Sequence, residues 1–210
     1  RQRQMCIRDR YILFISLGLL CSCSDYLDIV PDNVTKLDIV FNNKNTAQRY
    51  LANCYHFVPD HGSVKRIPGM GAGHECWFYT DKDSYFDNEV SFYIARGLQN
   101  TNAPYANYWD GEGGSKLPMF RAIRECNIFL SYVRDQHKVN DLTDSERKRW
   151  IAEVNVLKAY YHFFLFEHYG PIPIVDEALP VSTSSEGVKV TRMPVDQVVD
   201  FMVKLIDDSY

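Results

Sequence analysis

The stretch that decides the fold is Thr143-Asp-Ser-Glu146 followed by "WIAEVNVLKAYYHFFLFEHYG" from Trp150 to Gly170. Thr143 with Glu146 three residues on is a capping box, in which each side chain serves a backbone N–H left over at a helix start. Gly170 followed by Pro171 is a stop signal. Between them lies a long helix whose C-terminal half is apolar nearly all round, so it must sit between neighbours. Its polar exception is a stripe of Asn155, Lys158 and His162 at spacings of three and four.

Working outward, three more segments repeat the helical spacing, and strand-type alternation is scarce. One helix is expected from about Asn45 to Val58, with Ala47, Tyr50, Leu51, Cys54 and Val58 on one stripe. Another opens near Pro118, a residue favoured in a first helical turn, with Met119, Ile123, Cys126, Leu130 and Val133 on one seam. A fourth starts at Pro194 and turns Val195, Val198, Met202 and Leu205 inward. No strict internal repeat is visible, and the C-terminal "VVDFMVKLIDDSY" has no stop signal, which reads as a truncation.

From Pro59 to Lys116 the texture changes to Gly, Asn, Asp and aromatics. Long loops inside a domain are functional or disordered, and this aromatic density is the opposite of the disordered signature. Trp and Tyr beside Asp, Asn and Lys suit sugar binding, since ring faces stack on the C–H face of a pyranose while planar polar groups bridge its hydroxyls. The competing reading is that the rings pin the loop to the core. The candidates are Trp77 as first stacking platform, Tyr79 and Trp109 behind it, and Asp81, Lys82 and Asn88 as hydroxyl partners.

At the other end, Tyr11 to Leu20 is an uncharged apolar run of ten residues, half of what a membrane-spanning helix needs. Arg8 and Arg10 precede it, as in a signal peptide. Ser22 before Cys23, with Leu20 three positions ahead, matches a lipoprotein signal, so Cys23 is the expected acylated residue and residues 11–22 the cleaved peptide. Residues 1–10 read as non-native or n-region sequence. Removing Arg1, Arg3, Arg8, Arg10 and Asp9 from the 23 Lys+Arg and 27 Asp+Glu leaves 19 and 26, a net charge of −7 for residues 23–210. Such a balance argues against nucleic acid.

Enzyme-like fragments are weak. "GMGAG" at Gly69–Gly73 has no preceding strand and no Lys-Ser/Thr, so it reads as a turn rather than a phosphate cradle. "HEC" at His74–Cys76 lacks the second histidine or cysteine pair of a zinc site. His162 and His168, six residues apart, fall on different helix faces and read as surface or second-layer residues. No catalytic residue, metal site or cofactor is expected. Cys54, Cys76 and Cys126 are odd in number, so at least one buried free thiol is expected.

Three stretches carry a family likeness: "CSDYLDIVPDN" from Cys23, "YWDGEGGSKLPMFRAIRECNIFL" from Tyr108 to Leu130, and "EVNVLKAYYHFFLFEHYGPIPIV" from Glu153 to Val175. They resemble the SusD/RagB outer-membrane lipoproteins of the Bacteroidetes, over essentially all of Cys23–Tyr210 but only the N-terminal part of a typical member. The last supplies Glu153, Leu157, Ala159, Tyr160, Tyr161, Tyr169, Gly170 and Pro173 of the family pattern, with Lys158 where arginine is usual, a change that keeps charge and loses bidentate pairing. Arg192-Met-Pro before the fourth helix resembles the family's next segment.

The resemblance implies an all-α fold of tetratricopeptide-like helix pairs, lipid-anchored at the outer membrane and facing outward, without enzymatic activity or cofactor. It also implies a glycan ligand, or a peptide in some members, and a partner, the SusC-type TonB-dependent transporter. A helical scaffold lipoprotein of the envelope that binds no nutrient is the alternative from another class.

Overall fold

The computed structural model describes residues 37–63, 67–69, 71–73, 90–112, 116–179 and 189–209. The chain divides into Arg1–Ile39 and Val40–Tyr210, and every helix named below belongs to the second unit. It is all-α: α1 (Lys44–Tyr55), α2 (Val90–Ala95), α3 (Met119–Val133), α4 (Asp144–Tyr169) and α5 (Val195–Asp207), with no strand element among the described residues.

The long helix α4 forms as its sequence dictates. Thr143 Oγ1 accepts from the Glu146 N–H while the Glu146 carboxylate takes the Thr143 N–H at 3.2 Å. At the far end Gly170 adopts φ 69°, a left-handed angle that glycine reaches without a Cβ penalty, and its N–H bonds the Phe166 carbonyl. Along the middle, Trp150, Val154, Leu157, Ala159, Tyr161, Phe164 and Leu165 are buried, because α4 packs against α1, α3 and α5.

Helix α3 runs antiparallel to α4, as Arg147 near the start of α4 shows by reaching the end of α3. Its guanidinium donates to the carbonyls of Val133 (2.5 Å), Asp135 (3.1 Å), Lys138 (3.0 Å) and Val139 (3.1 Å). These are the acceptors a helix end and its following turn leave unpaired, and a charged donor satisfies them where water cannot reach. All five positions of the expected α3 seam are buried, with Ala122, Asn127 and Phe129 added.

Three expectations are corrected. Helix α1 ends at Tyr55, so Val58 lies beyond it, 40% exposed, and Phe57 takes the buried place. Val195 is 42% exposed: as the first residue of α5, its Cβ points back past the helix start, where no earlier turn covers it. His162 is not a surface residue but fully buried. The short α2 lies within the stretch expected to be loop, with Val90, Ser91 and Phe92 buried.

Candidate functional site

A pocket of about 290 Å³ opens where the chain leaving α4 folds back across α3, lined by Trp109, Phe120, Arg124, Pro173, Val175, Glu177, Leu179 and Val190. Phe120 and Arg124 are one turn apart on α3 and therefore share a face. The opposite wall is the extended segment 171–179, and helix side chains hold its carbonyls. Arg124 Nη1 donates to Leu179 O at 2.7 Å, Asn127 Nδ2 to Val175 O at 3.0 Å, and Lys158 Nζ to Asp176 O at 2.8 Å. The base of the wall is pinned by buried Ile172, whose carbonyl accepts from Met193 N at 3.0 Å.

Trp109 is packed from several sides. Its ring lies 4.6 Å from Phe120 and 5.5 Å from Tyr169, and the Arg192 guanidinium sits 5.1 Å from its centroid. Arg192 is itself held by the carbonyls of Pro171 (3.0 Å) and Tyr169 (3.3 Å). The backbone before α3 is set by Tyr169, whose phenol oxygen accepts from Tyr108 N at 2.8 Å; burial raises that phenol's pKa. Gly111, at φ 80°, backs onto Pro118, which a Cβ would meet at 2.7 Å, so only glycine lets the chain turn from Trp109 into α3. The pocket thus joins aromatic surface to the Arg124 guanidinium and the Glu177 carboxylate, a combination that can stack a ring and bridge hydroxyls.

Beneath the wall lies buried polar chemistry. Lys158 has no exposed side-chain surface, yet its ammonium pairs with Asp176 Oδ1 at 2.5 Å, and the Asp176 side chain is 63% exposed. The lysine therefore makes the salt bridge that its replacement of arginine put in question, through one carboxylate oxygen. Burial lowers the Lys158 pKa and the Asp176 bond opposes that. His162 faces Lys158 O through Nδ1 at 2.8 Å, leaving Nε2 buried without a partner. Burial holds its pKa down at about 4, so it is neutral at pH 7.

Of the residues expected from sequence to bind ligand, Trp109 lies in this pocket. Trp77, Tyr79, Asp81, Lys82 and Asn88, the acylation candidate Cys23, and His74 to Cys76 fall outside the described residues. Sequence reasoning missed Phe120, Arg124 and Glu177. The spacing of Phe120 and Arg124, directly after Trp109 in the chain, was the available signal. Among the described residues no group of three His, Cys, Asp or Glu side chains could hold a metal ion, and no helix is long and apolar enough to cross a membrane.

No curated protein sequence matches the chain. Among solved structures it is similar to BT4246, at 24% identity and TM-score 0.59 over 80% of this chain and 26% of that one. It is similar to a laminarin-binding SusD-like protein at 17% identity and TM-score 0.57, over 80% of this chain and 34% of that one. A third is a SusD-like carbohydrate-binding protein from Bacteroides fragilis, at 20% identity and TM-score 0.52 over 81% and 31%. The chain spans about a quarter to a third of the length of these structures. A family model described as starch-binding, associating with the outer membrane, matches residues 25–209, and with that coverage the chain belongs to the SusD-like family.

Proposed function

We propose that this chain serves a surface-exposed, lipid-anchored glycan-binding protein that captures oligo- or polysaccharide at the outer membrane and delivers it to a SusC-type TonB-dependent transporter. The observation that carries this reading is the family match over residues 25–209, with its starch-binding, outer-membrane description. The laminarin-binding relative supports the same ligand class. In this reading the protein performs no bond-breaking chemistry; its work is recognition and hand-over.

The pocket at Trp109 supports it in chemical terms. Partly desolvated rings beside Arg124 and Glu177 offer an apolar face and charged hydrogen-bond partners together, which is what a sugar ring presents in complement. Trp77 remains the first stacking candidate, with Tyr79 and Trp109 next after it and Asp81, Lys82 and Asn88 as hydroxyl partners. Cys23, acylated with more than one chain, supplies the anchor, since one chain alone retains a protein only marginally.

The test is retention of the full-length protein on starch and on laminarin in affinity gels, with a peptide library as comparison, and co-purification from membranes with a TonB-dependent barrel. Glycan retention with barrel co-purification is expected. Binding to peptides and to neither polysaccharide would overturn the glycan assignment, and a Cys23→Ala variant that stays membrane-bound and fatty-acid-labelled would overturn the anchor.

A further inference from the structure

The pocket wall formed by residues 171–179 is written with a two-residue period. Pro173, Val175, Glu177 and Leu179 line the cavity, as alternate side chains of an extended chain can, while Asp176 between them reaches Lys158 of α4. The tethers along this segment differ in what they recognise. The carbonyls of Pro171, Ile172, Val175 and Leu179 accept from Arg192 (3.0 Å), Met193 N (3.0 Å), Asn127 (3.0 Å) and Arg124 (2.7 Å). Each of these addresses a backbone carbonyl, a group that every residue of the segment offers. Lys158 instead takes both the Asp176 carbonyl, at 2.8 Å, and Asp176 Oδ1, at 2.5 Å. Among the described residues, this is the only polar tether that recognises a side chain of the wall.

We propose that Lys158 is a positioning residue of the ligand site, its ammonium fixing the register of the wall so that Val175 and Glu177 enter the pocket. The role rests on the glycan reading of this pocket given above. An extended chain that slips by one residue turns its whole inward set outward. Here a slip beyond the buried base at Ile172 would exchange Val175 and Glu177 for Ile174 and Asp176. Carbonyl tethers survive such a shift, because the neighbouring residue offers the same group. The carboxylate of Asp176 does not, because it exists at one position. Holding one residue by its main chain and its side chain together also restrains the backbone on either side of it, and that backbone sets where Val175 and Glu177 point.

The burial of the lysine argues for the same role. Lys158 has no exposed side-chain surface and its ammonium lies 5.6 Å from the centroid of the Phe201 ring on α5, whereas the Asp176 side chain is 63% exposed. Taking an ammonium out of water offsets most of what its partner returns, and apolar replacements of such pairs often leave stability unchanged. A buried charge that adds little stability yet accepts one geometry selects among arrangements. The arrangement selected here presents Glu177 to the pocket that Arg124 also lines. Lys158 itself is not among the residues lining that pocket, so it acts through the wall.

The experiment compares the full-length parent with Lys158→Met, with Lys158→Arg, which keeps a charged donor, and with Leu51→Ala, a truncation of a buried residue on α1. The first readout needs no ligand: the rate at which a glutamate-specific protease cuts the native protein after Glu177, mapped by mass. Cleavage follows the population of the loosened wall, so Lys158→Met should raise that rate about tenfold, with Lys158→Arg and Leu51→Ala near the parent. The second readout is calorimetric titration with maltoheptaose and with laminarin oligosaccharides. For whichever binds, Lys158→Met and Glu177→Gln should each weaken binding about tenfold and the double variant no further, because both remove the same contact. Cleavage in Lys158→Met no faster than in the parent would overturn the inference, as would unchanged affinity in that variant or losses that add in the double variant. Binding of neither oligosaccharide by the parent would defeat the glycan reading alone, and the cleavage rate would still decide the role of Lys158.

Discussion

On the flank that α4 turns toward α1 and α3, the contacts are directional: Tyr161 bonds the Cys54 carbonyl, Tyr55 donates to Glu153 at 2.5 Å, Arg134 bonds Asn155 at 3.2 Å, and Trp150 meets Phe129 with centroids 6.2 Å apart. On the flank toward α5 they are mostly apolar and partly open. Val198, Met202 and Leu205 are buried, yet Val156, Phe163, Val199, Val203 and Ile206 are 38–49% exposed along the groove between the helices. Among the described residues no further helix packs on α5. Hydrogen bonds between buried groups fix one arrangement and penalise every other, whereas an apolar groove tolerates sliding and substitution. The closed flank is thus where the position of the pocket wall is set.

The largest test of this contrast compares core truncations across α4. Phe129→Ala, on the closed flank with no exposed surface, should cost about 3–5 kcal/mol in urea unfolding of the full-length protein. Phe163→Ser and Val203→Ser, on the open flank, should each fall within about 0.5 kcal/mol of the parent. Equal losses on both flanks would show that the open groove is in fact sealed in the complete protein.

Next in size is the ion pair under the pocket wall, where burial makes the partners unequal. Asp176→Ala leaves the Lys158 charge in the interior with no counter-charge, only a backbone carbonyl at 2.8 Å and the Phe201 ring at 5.6 Å, and should cost about 3 kcal/mol. Lys158→Met removes the buried charge and leaves an exposed aspartate to water, so it should cost less than about 1.5 kcal/mol. The reverse order would mean that the lysine is hydrated.

A pH effect of up to about 3 kcal/mol should come from His162. Its folded pKa, about 4, lies below the ordinary 6.5, so the unfolded chain takes up a proton first. Stability is full above pH 6.5 and is lost as pH falls toward 4, at about 1.4 kcal/mol per pH unit. A His162→Phe variant should flatten denaturant midpoints over that window; an unchanged slope would place the titration elsewhere. The smallest effect belongs to Glu146, whose pKa is lowered from 4.5 to about 2, first by the Lys44 ion pair and then by the Thr143 cap. Its contribution is present above pH 4.5 and fades toward 2. Glu146→Gln should remove only that shallow acid dependence, because the group is partly exposed to water and its pairing screened.

Much of the helical frame was legible because its signals are local. The capping box at Thr143 and Glu146, the glycine at 170 and the seam from Met119 to Val133 each act within a few residues of where they are written. What sequence could not yield depends on distant partners. His162 looked like a polar helix residue until α5 brought Phe201 to 5.0 Å from its ring. The inwardness of Lys158 depends on a carboxylate 18 positions away. Val58 failed as a core residue because α1 stops three residues earlier than the apolar pattern runs, and only tertiary packing decides that boundary. In the pocket, Trp109 could be singled out by its chemistry, whereas Glu177 and Leu179 join it only because helix side chains gather the carbonyls of the segment after α4.

The central claim, that this frame presents aromatic side chains to a glycan, is tested most directly by calorimetric titration of the full-length protein with maltoheptaose and with laminarin oligosaccharides, comparing the parent with Trp77→Ala and Trp109→Ala. Loss of a stacking ring removes about 1–3 kcal/mol, so Trp77→Ala should weaken binding tenfold or more for whichever probe binds, with an unchanged melt. Trp109→Ala, which strips a ring packed on Phe120, Tyr169 and Arg192, should lower the melting temperature as well as the affinity. Full parental affinity for both oligosaccharides in a folded Trp77→Ala variant and in a folded Trp109→Ala variant would contradict the account.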